Sequence, residues 1–158
     1  MRTSVLLATV LAALLSACGS ESKAPPAAPV KKAEAPKPPD EGRYLPINGL
    51  VDSKVVDDHL LGKPFMPGGT LGHYKKGKNE YDIFIRRLAS PVDSAMILPD
   101  WNKALSSSKL IPSFGGYFGD DAGRPVFVFT KGPWIAGIAG LTEKQADLEA
   151  RTLATKLP

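Results

Sequence analysis

Only one cysteine occurs in the 158 residues, Cys18, and it lies near the start of the chain. The remainder therefore has no disulfide, thiol nucleophile or cysteine metal site to draw on, and its core must hold by packing alone. The stretch after Cys18 has little to pack. Residues 19–42 carry six prolines (Pro25, Pro26, Pro29, Pro36, Pro38 and Pro39) with Lys23, Lys31, Lys32 and Lys37, no aromatic residue, and Val30 as the one larger aliphatic. Such a segment buries too little apolar surface to offset its ordering entropy, and is expected to remain an extended tether. The fold is left to residues 43–158, the length of one ordinary domain.

From Arg43 onward 15 Lys and Arg stand against 12 Asp and Glu, a net charge of +3 with the signs mixed along the chain. There is no long basic run or aromatic-rich motif, so the expectation is no nucleic-acid partner.

The N-terminus reads as an address. Arg2, an apolar run from Val5 to Leu15 and the small residues Ser16 and Ala17 compose a secretory signal peptide. The run is too short for a bilayer core of about 30 Å, which takes roughly 20 helical residues. Leu15-Ser16-Ala17-Cys18 resembles the lipobox of bacterial lipoproteins. That resemblance implies removal of residues 1–17, acylation of Cys18 as the new N-terminus, and residues 18–42 as the lipidated cysteine plus tether. Gly19, where an aspartate would retain the protein in the inner membrane, implies the periplasmic face of the outer membrane. Several acyl chains hold a protein stably where one holds it reversibly. Ser16-Ala17-Cys18 also suits an ordinary signal peptidase, which leaves a plain secreted protein as the alternative.

Within the domain, Thr70–Lys75 and Glu80–Leu88 flank Lys76-Gly77-Lys78-Asn79, with Tyr81, Ile83 and Ile85 on one face by the period of two. This predicts a hairpin. Ser90-Pro91-Val92-Asp93 opens a helix that would turn Val92, Met96, Trp101 and Leu105 inward, with Pro99 kinking or splitting it. Arg124–Thr130 and Trp134–Leu141, joined across Lys131-Gly132-Pro133, are so continuously apolar that they belong in the centre of a sheet. Thr142-Glu143-Lys144-Gln145 has the form of a capping box, and Ala146, Ala150, Leu153 and Leu157 form one helical stripe after it. A further strand near Lys109–Phe118 and a short helix over Ser53–Leu61 complete the pattern. The fold class expected is α+β: a two-layer sandwich, with an antiparallel sheet of 4–5 strands and two helices packed on it. From Leu110 on, the arrangement around Phe129-Thr130-Lys131-Gly132-Pro133 is similar to half of some uncharacterised exported bacterial proteins, which implies an exported sheet domain and no particular chemistry.

Several residues invite a chemical reading. His59 and His73 are the only histidines; with Asp58 they would make a three-ligand metal set only if the fold brought them together. His73 has no acid beside it in sequence. Ser106 precedes Lys109 by three, the spacing of the acyl-enzymes of cell-wall metabolism, but their companion motifs are absent. A serine-rich helix terminus with a lysine near its last carbonyls is the simpler reading. Asp57-Asp58, Glu80, Asp82 and Asp100 form no visible acid and base couple. Gly115–Gly123 is the most unusual stretch: Tyr117 and Phe118 lie between glycines ahead of Asp120 and Asp121, either as a strand-joining turn at Asp121-Ala122-Gly123 or as a partner-binding loop. Tyr117, Phe118, Asp120 and Asp121 are the candidate binding residues and Cys18 the lipid-attachment residue; no catalytic residue, metal ligand or cofactor is assigned. The expected function is a membrane-anchored envelope lipoprotein acting as a noncatalytic binding or accessory module, its partners the lipid bilayer and an envelope protein or polymer. A small envelope hydrolase or acyltransferase is the alternative.

Overall fold

The computed structural model describes residues 37–158. Cys18, the signal peptide and most of the tether lie outside the described residues. Seven strands form one antiparallel sheet: β1 (Leu50–Asp58), β2 (Pro67–Lys76), β3 (Asn79–Arg87), β4 (Ser106–Ile111), β5 (Gly116–Asp121), β6 (Arg124–Lys131) and β7 (Trp134–Ala139). Their order is β1-β2-β3-β7-β6-β5-β4, so two meanders meet where β7 pairs with β3. Helix α1 (Pro91–Ala104) crosses from β3 to the far edge, and α2 (Glu143–Lys156) follows β7. The sheet is larger than the 4–5 strands expected, and the helices do not share a face.

Side-chain alternation explains the second point. Tyr81, Ile83, Ile85, Phe127 and Phe129 join Ala146, Ala150 and Leu153 of α2 in one core. Their neighbours Phe84, Val126, Val128 and Ile135 join Leu98 and Trp101 of α1 in another. The central strand β7 is buried on both faces and is apolar throughout its length. The described residues form three layers, with the sheet in the middle.

The β6–β7 hairpin ties these layers together. Lys131 Nζ donates to the carbonyls of Ala154 (2.8 Å) and Leu157, closing the C-terminus of α2. At the same turn the Gly132 carbonyl accepts from Ser94 Oγ of α1 at 2.7 Å. The Lys-Gly-Pro turn thus fastens one helix on each face.

Other expectations change. Ser53–Leu61 is not a helix: Leu50–Asp58 is an edge strand, followed by a single 3-10 turn at Leu60–Gly62. Val92 and Met96 of α1 are exposed, while Ser94, Leu98 and Trp101 carry its buried face with Leu105 just beyond. Pro99 does not split α1, which runs unbroken from Pro91 to Ala104; Ala95, the residue whose carbonyl loses its helical donor to Pro99, is exposed. Thr142 Oγ1 bonds Gln145 Oε1 at 2.8 Å and makes no cap to a main-chain amide, so the reciprocal capping box is not formed. The folded part also begins before Arg43: Pro38 and Glu41 are buried, and the Glu41 amide donates to Thr70 Oγ1 at 2.9 Å.

Candidate functional site

Helix α1 packs over β4–β7 and leaves the β1–β3 half of its face largely to shorter cover from Leu60 and Met66. On that open half, Asp52, Lys54, Leu71, His73 and Asp82 line a groove of about 330 Å³. The register assembles it. His73 stands opposite Asp82 on β3 and opposite Asp52 on β1, while Leu71 lies between Lys54 and Phe84. The β2–β3 pairing follows from the two-residue Gly77-Lys78 turn, with glycine at its first position (φ 61°) where such a turn needs positive φ.

Asp82 is the centre of the groove. Its Oδ1 lies 2.9 Å from His73 Nδ1, and its Oδ2 accepts from Arg124 Nη2 at 2.7 Å. The same Arg124 nitrogen reaches the Ala139 carbonyl at 3.1 Å, which ties the three strands β2, β3 and β6 across β7. The Asp82 side chain is 16 % exposed, while those of His73 and Arg124 are each 44 % exposed. A carboxylate at Nδ1 favours the ring proton on that nitrogen, which makes Nε2 the acceptor of the neutral ring. Asp82 thereby orients both partners without itself being well exposed.

Charge pairs border the groove. Lys75 and Glu80, opposite each other on β2 and β3, bond at 2.7 Å; that hydrogen bond holds the Glu80 carboxyl below its usual range and raises the Lys75 amine. Lys63 and Asp121 bond at 2.6 Å. The arrangement offers oriented hydrogen-bonding groups around an apolar floor at Leu71. None of the five lining residues supplies a hydroxyl or thiol nucleophile.

The residues singled out in the sequence are distributed differently. Gly116–Asp121 is strand β5, so Tyr117, Phe118, Asp120 and Asp121 are not on a free loop. Tyr117 packs against the α1-side core and Phe118 against the α2-side core, both half-buried. Asp120 Oδ1 accepts from the Gly123 amide at 2.6 Å, closing the turn at Ala122-Gly123 where both residues have positive φ. The turn reading holds there. Asp121 is spent on Lys63. Ser106 and Lys109 lie on β4 rather than on a helix, separated by a register shift at Ser107 (φ 51°), and Lys109 pairs with Glu143. His59 sits before the Leu60 turn beside Asp58, 3.4 Å away, and is not joined by His73, which belongs to Asp82. Among the described residues no group of three His, Cys, Asp or Glu is placed to hold a metal ion.

Sequence inspection missed the His73–Asp82–Arg124 cluster because its members are far apart in the chain. Its signal was the hairpin: a two-residue turn at Gly77-Lys78 pairs Lys76 with Asn79, and counting outward places His73 on Asp82. Arg124 carries no comparable signal, since the β3–β7–β6 order has to be known first.

A second depression of about 390 Å³ lies beside α2, between Ile111, Phe127 and Leu148, with Glu143, Lys144 and Asp147 on its rim. No family model matches the chain, and neither a curated protein nor a solved structure matches it.

Proposed function

We propose that this chain is an envelope-anchored, noncatalytic binding or accessory module, with acylated Cys18 in the outer membrane, a proline-rich tether, and a folded domain that meets an envelope protein or polymer on the periplasmic side. The groove around His73, Asp82 and Arg124 is its contact surface. The observation that carries this reading is the double engagement of Asp82, which holds the His73 imidazole and the Arg124 guanidinium half-exposed at a groove that His73 and Asp82 line with Leu71. Preoriented donors on an apolar floor suit recognition, because little ordering entropy is lost on binding. The serine and lysine on which a hydrolase would depend lie on an edge strand, with Lys109 committed to Glu143. The lipobox supports the anchor, and the proline- and lysine-rich composition of residues 19–37 supports the tether.

Two arms test the proposal. Cys18→Ser should abolish acylation and remove the protein from the detergent-soluble membrane fraction; unchanged fractionation with no acyl mass on the wild type contradicts the anchor. Crosslinked envelopes should yield a specific partner with the wild-type chain and lose it with His73→Ala at unchanged stability. Equal recovery from both contradicts the groove.

A further inference from the structure

Strand β1 closes one edge of the sheet, and among the described residues no strand pairs with its outer side. Val51 is 61 % exposed, Asp52, Ser53 and Lys54 are exposed, and neither Asp52 nor Lys54 forms an ion pair with a described residue. An exposed edge presents free main-chain donors and acceptors, and a lysine there ordinarily discourages pairing with a foreign strand.

The direction of those free groups follows from the register. Lys76 and Asn79 flank a two-residue turn and are a hydrogen-bonded pair, so the even-numbered residues of β2 bond to β3 and the odd-numbered ones to β1. The Lys75 amide donating to the Gly49 carbonyl at 2.8 Å agrees. Asp52, Lys54 and Val56, opposite His73, Leu71 and Gly69, therefore spend their main-chain groups on β2. Ser53 and Val55, in the regular part of the strand, point theirs outward.

A second β1 strand, laid antiparallel, can bond only where outward residues meet outward residues, which limits the registers. Centring the pair on Asp52 sets Asp52 against its own copy, and centring it on Lys54 sets lysine against lysine. A centre at Val55 brings Asp52 against Asp58. Centred on Ser53, Asp52 meets the partner's Lys54 and Lys54 meets the partner's Asp52, both at the closer, non-hydrogen-bonded positions where Cα atoms approach to about 4.5 Å. The register shift between Leu50 and Asp52 leaves Val51 outside the regular pairing, which spans Asp52, Ser53 and Lys54. Among these four registers the one centred on Ser53 alone turns the edge lysine from a block into a contact.

We propose that two copies of this chain pair along β1 about a two-fold axis at Ser53, joining their sheets into one. Both edges carry a register shift, between Leu50 and Asp52 in β1 and between Ser106 and Lys109 in β4, but on β4 the edge lysine, Lys109, is already held by Glu143. The dimer would set the two His73 grooves on the same face on either side of the axis. It goes beyond the binding reading and does not depend on it, since its readout is mass rather than ligand recovery.

Sedimentation equilibrium tests it on the full 158-residue chain carrying Cys18→Ser, so that neither an acyl group nor a Cys18 thiol joins two molecules. The expected result is a reversible monomer–dimer equilibrium. Asp52→Lys should raise its dissociation constant about tenfold by setting lysine against lysine at two positions. Adding Lys54→Asp to Asp52→Lys should restore the starting value, because the reversed charges are again complementary. A chain that stays monomeric, a dimer indifferent to Asp52→Lys, or a double variant as weak as the single one would overturn the proposal.

Discussion

His73 and Asp82 face each other across the β2–β3 hairpin with Nδ1 and Oδ1 2.9 Å apart, and the other oxygen of the same carboxylate holds Arg124. The pair couples the order of the sheet to the shape of its groove. Asp82→Asn keeps the volume and removes the charge that both partners share. Charged hydrogen bonds contribute about 1.5 to 3 kcal/mol when sheltered and less when water screens them, so a loss of about 1 to 2 kcal/mol is expected in urea denaturation. An unchanged midpoint would mean that the cluster holds nothing together.

Gly137 sits at the centre of β7 on the α1 side, where a Cβ would come within 2.3 Å of the Phe127 carbonyl and 2.4 Å of the Phe84 ring. Neither neighbour can withdraw, since one is main chain and the other is buried under Trp101 at 5.7 Å. Gly137→Ala should therefore cost about 3 kcal/mol or more, at the severe end of overpacking. Denaturant unfolding checks this, and a loss below about 1 kcal/mol would be inconsistent with the close approach.

Tyr117 was the leading binding residue in the sequence and is half-buried against the α1-side core in the fold. Tyr117→Ala should lower stability by about 2 kcal/mol, less than the 3 to 5 of a fully buried aromatic. A melting temperature equal to that of the wild type would return Tyr117 to the surface role.

The chain upstream of Arg43 should matter to stability. A protein starting at Arg43 loses the buried Pro38 and the bond from the Glu41 amide to Thr70 Oγ1. It should melt several degrees below one starting at Lys37, since about 1 kcal/mol moves a domain of this size by roughly 3 to 6 °C. Identical melting curves would show that residues 37–42 contribute nothing.

Alkaline pH should unfold the domain through two phenols. Tyr74 and Tyr81 stack at 5.2 Å, and burial first pushes both well above the ordinary tyrosine range, with Tyr81 and then Glu149 adding to the rise at Tyr74 and Glu149 adding to it at Tyr81. The folded state thus keeps protons that the unfolded chain gives up near pH 10, so stability is intact below about pH 10 and falls as pH rises beyond it. Of the four tyrosines, Tyr74 and Tyr81 should ionise together with loss of circular dichroism. Reversible ionisation of all four with the fold intact would contradict this.

Much of the fold was legible where burial leaves a period. The continuous apolar run of β6 and β7 marked central strands, and Ala146, Ala150, Leu153 and Leu157 marked the inner stripe of α2. The same run also carried the third layer, because a strand apolar at every position needs cover on both faces. Edge strands were the failure: β1 and β4 are exposed on both sides and show no alternation, so Ser53–Leu61 resembled a helix and Ser106–Lys109 a helix terminus. In α1 the stripe Ser94, Leu98, Trp101 is anchored by a serine, which apolar periodicity cannot count. The candidate site was illegible for a different reason. His73, Asp82 and Arg124 meet through strand register and strand order, and the hairpin turn gives only the first of these contacts.

The most direct test of the account is partner recovery by the lipidated full-length chain in crosslinked envelopes, comparing wild type with His73→Ala at matched membrane levels and matched melting temperature. Loss of at least about 1.4 kcal/mol of affinity, a tenfold drop in recovered partner, is the expected result. Equal recovery by a folded, anchored His73→Ala protein would contradict the assignment of the groove as the binding surface.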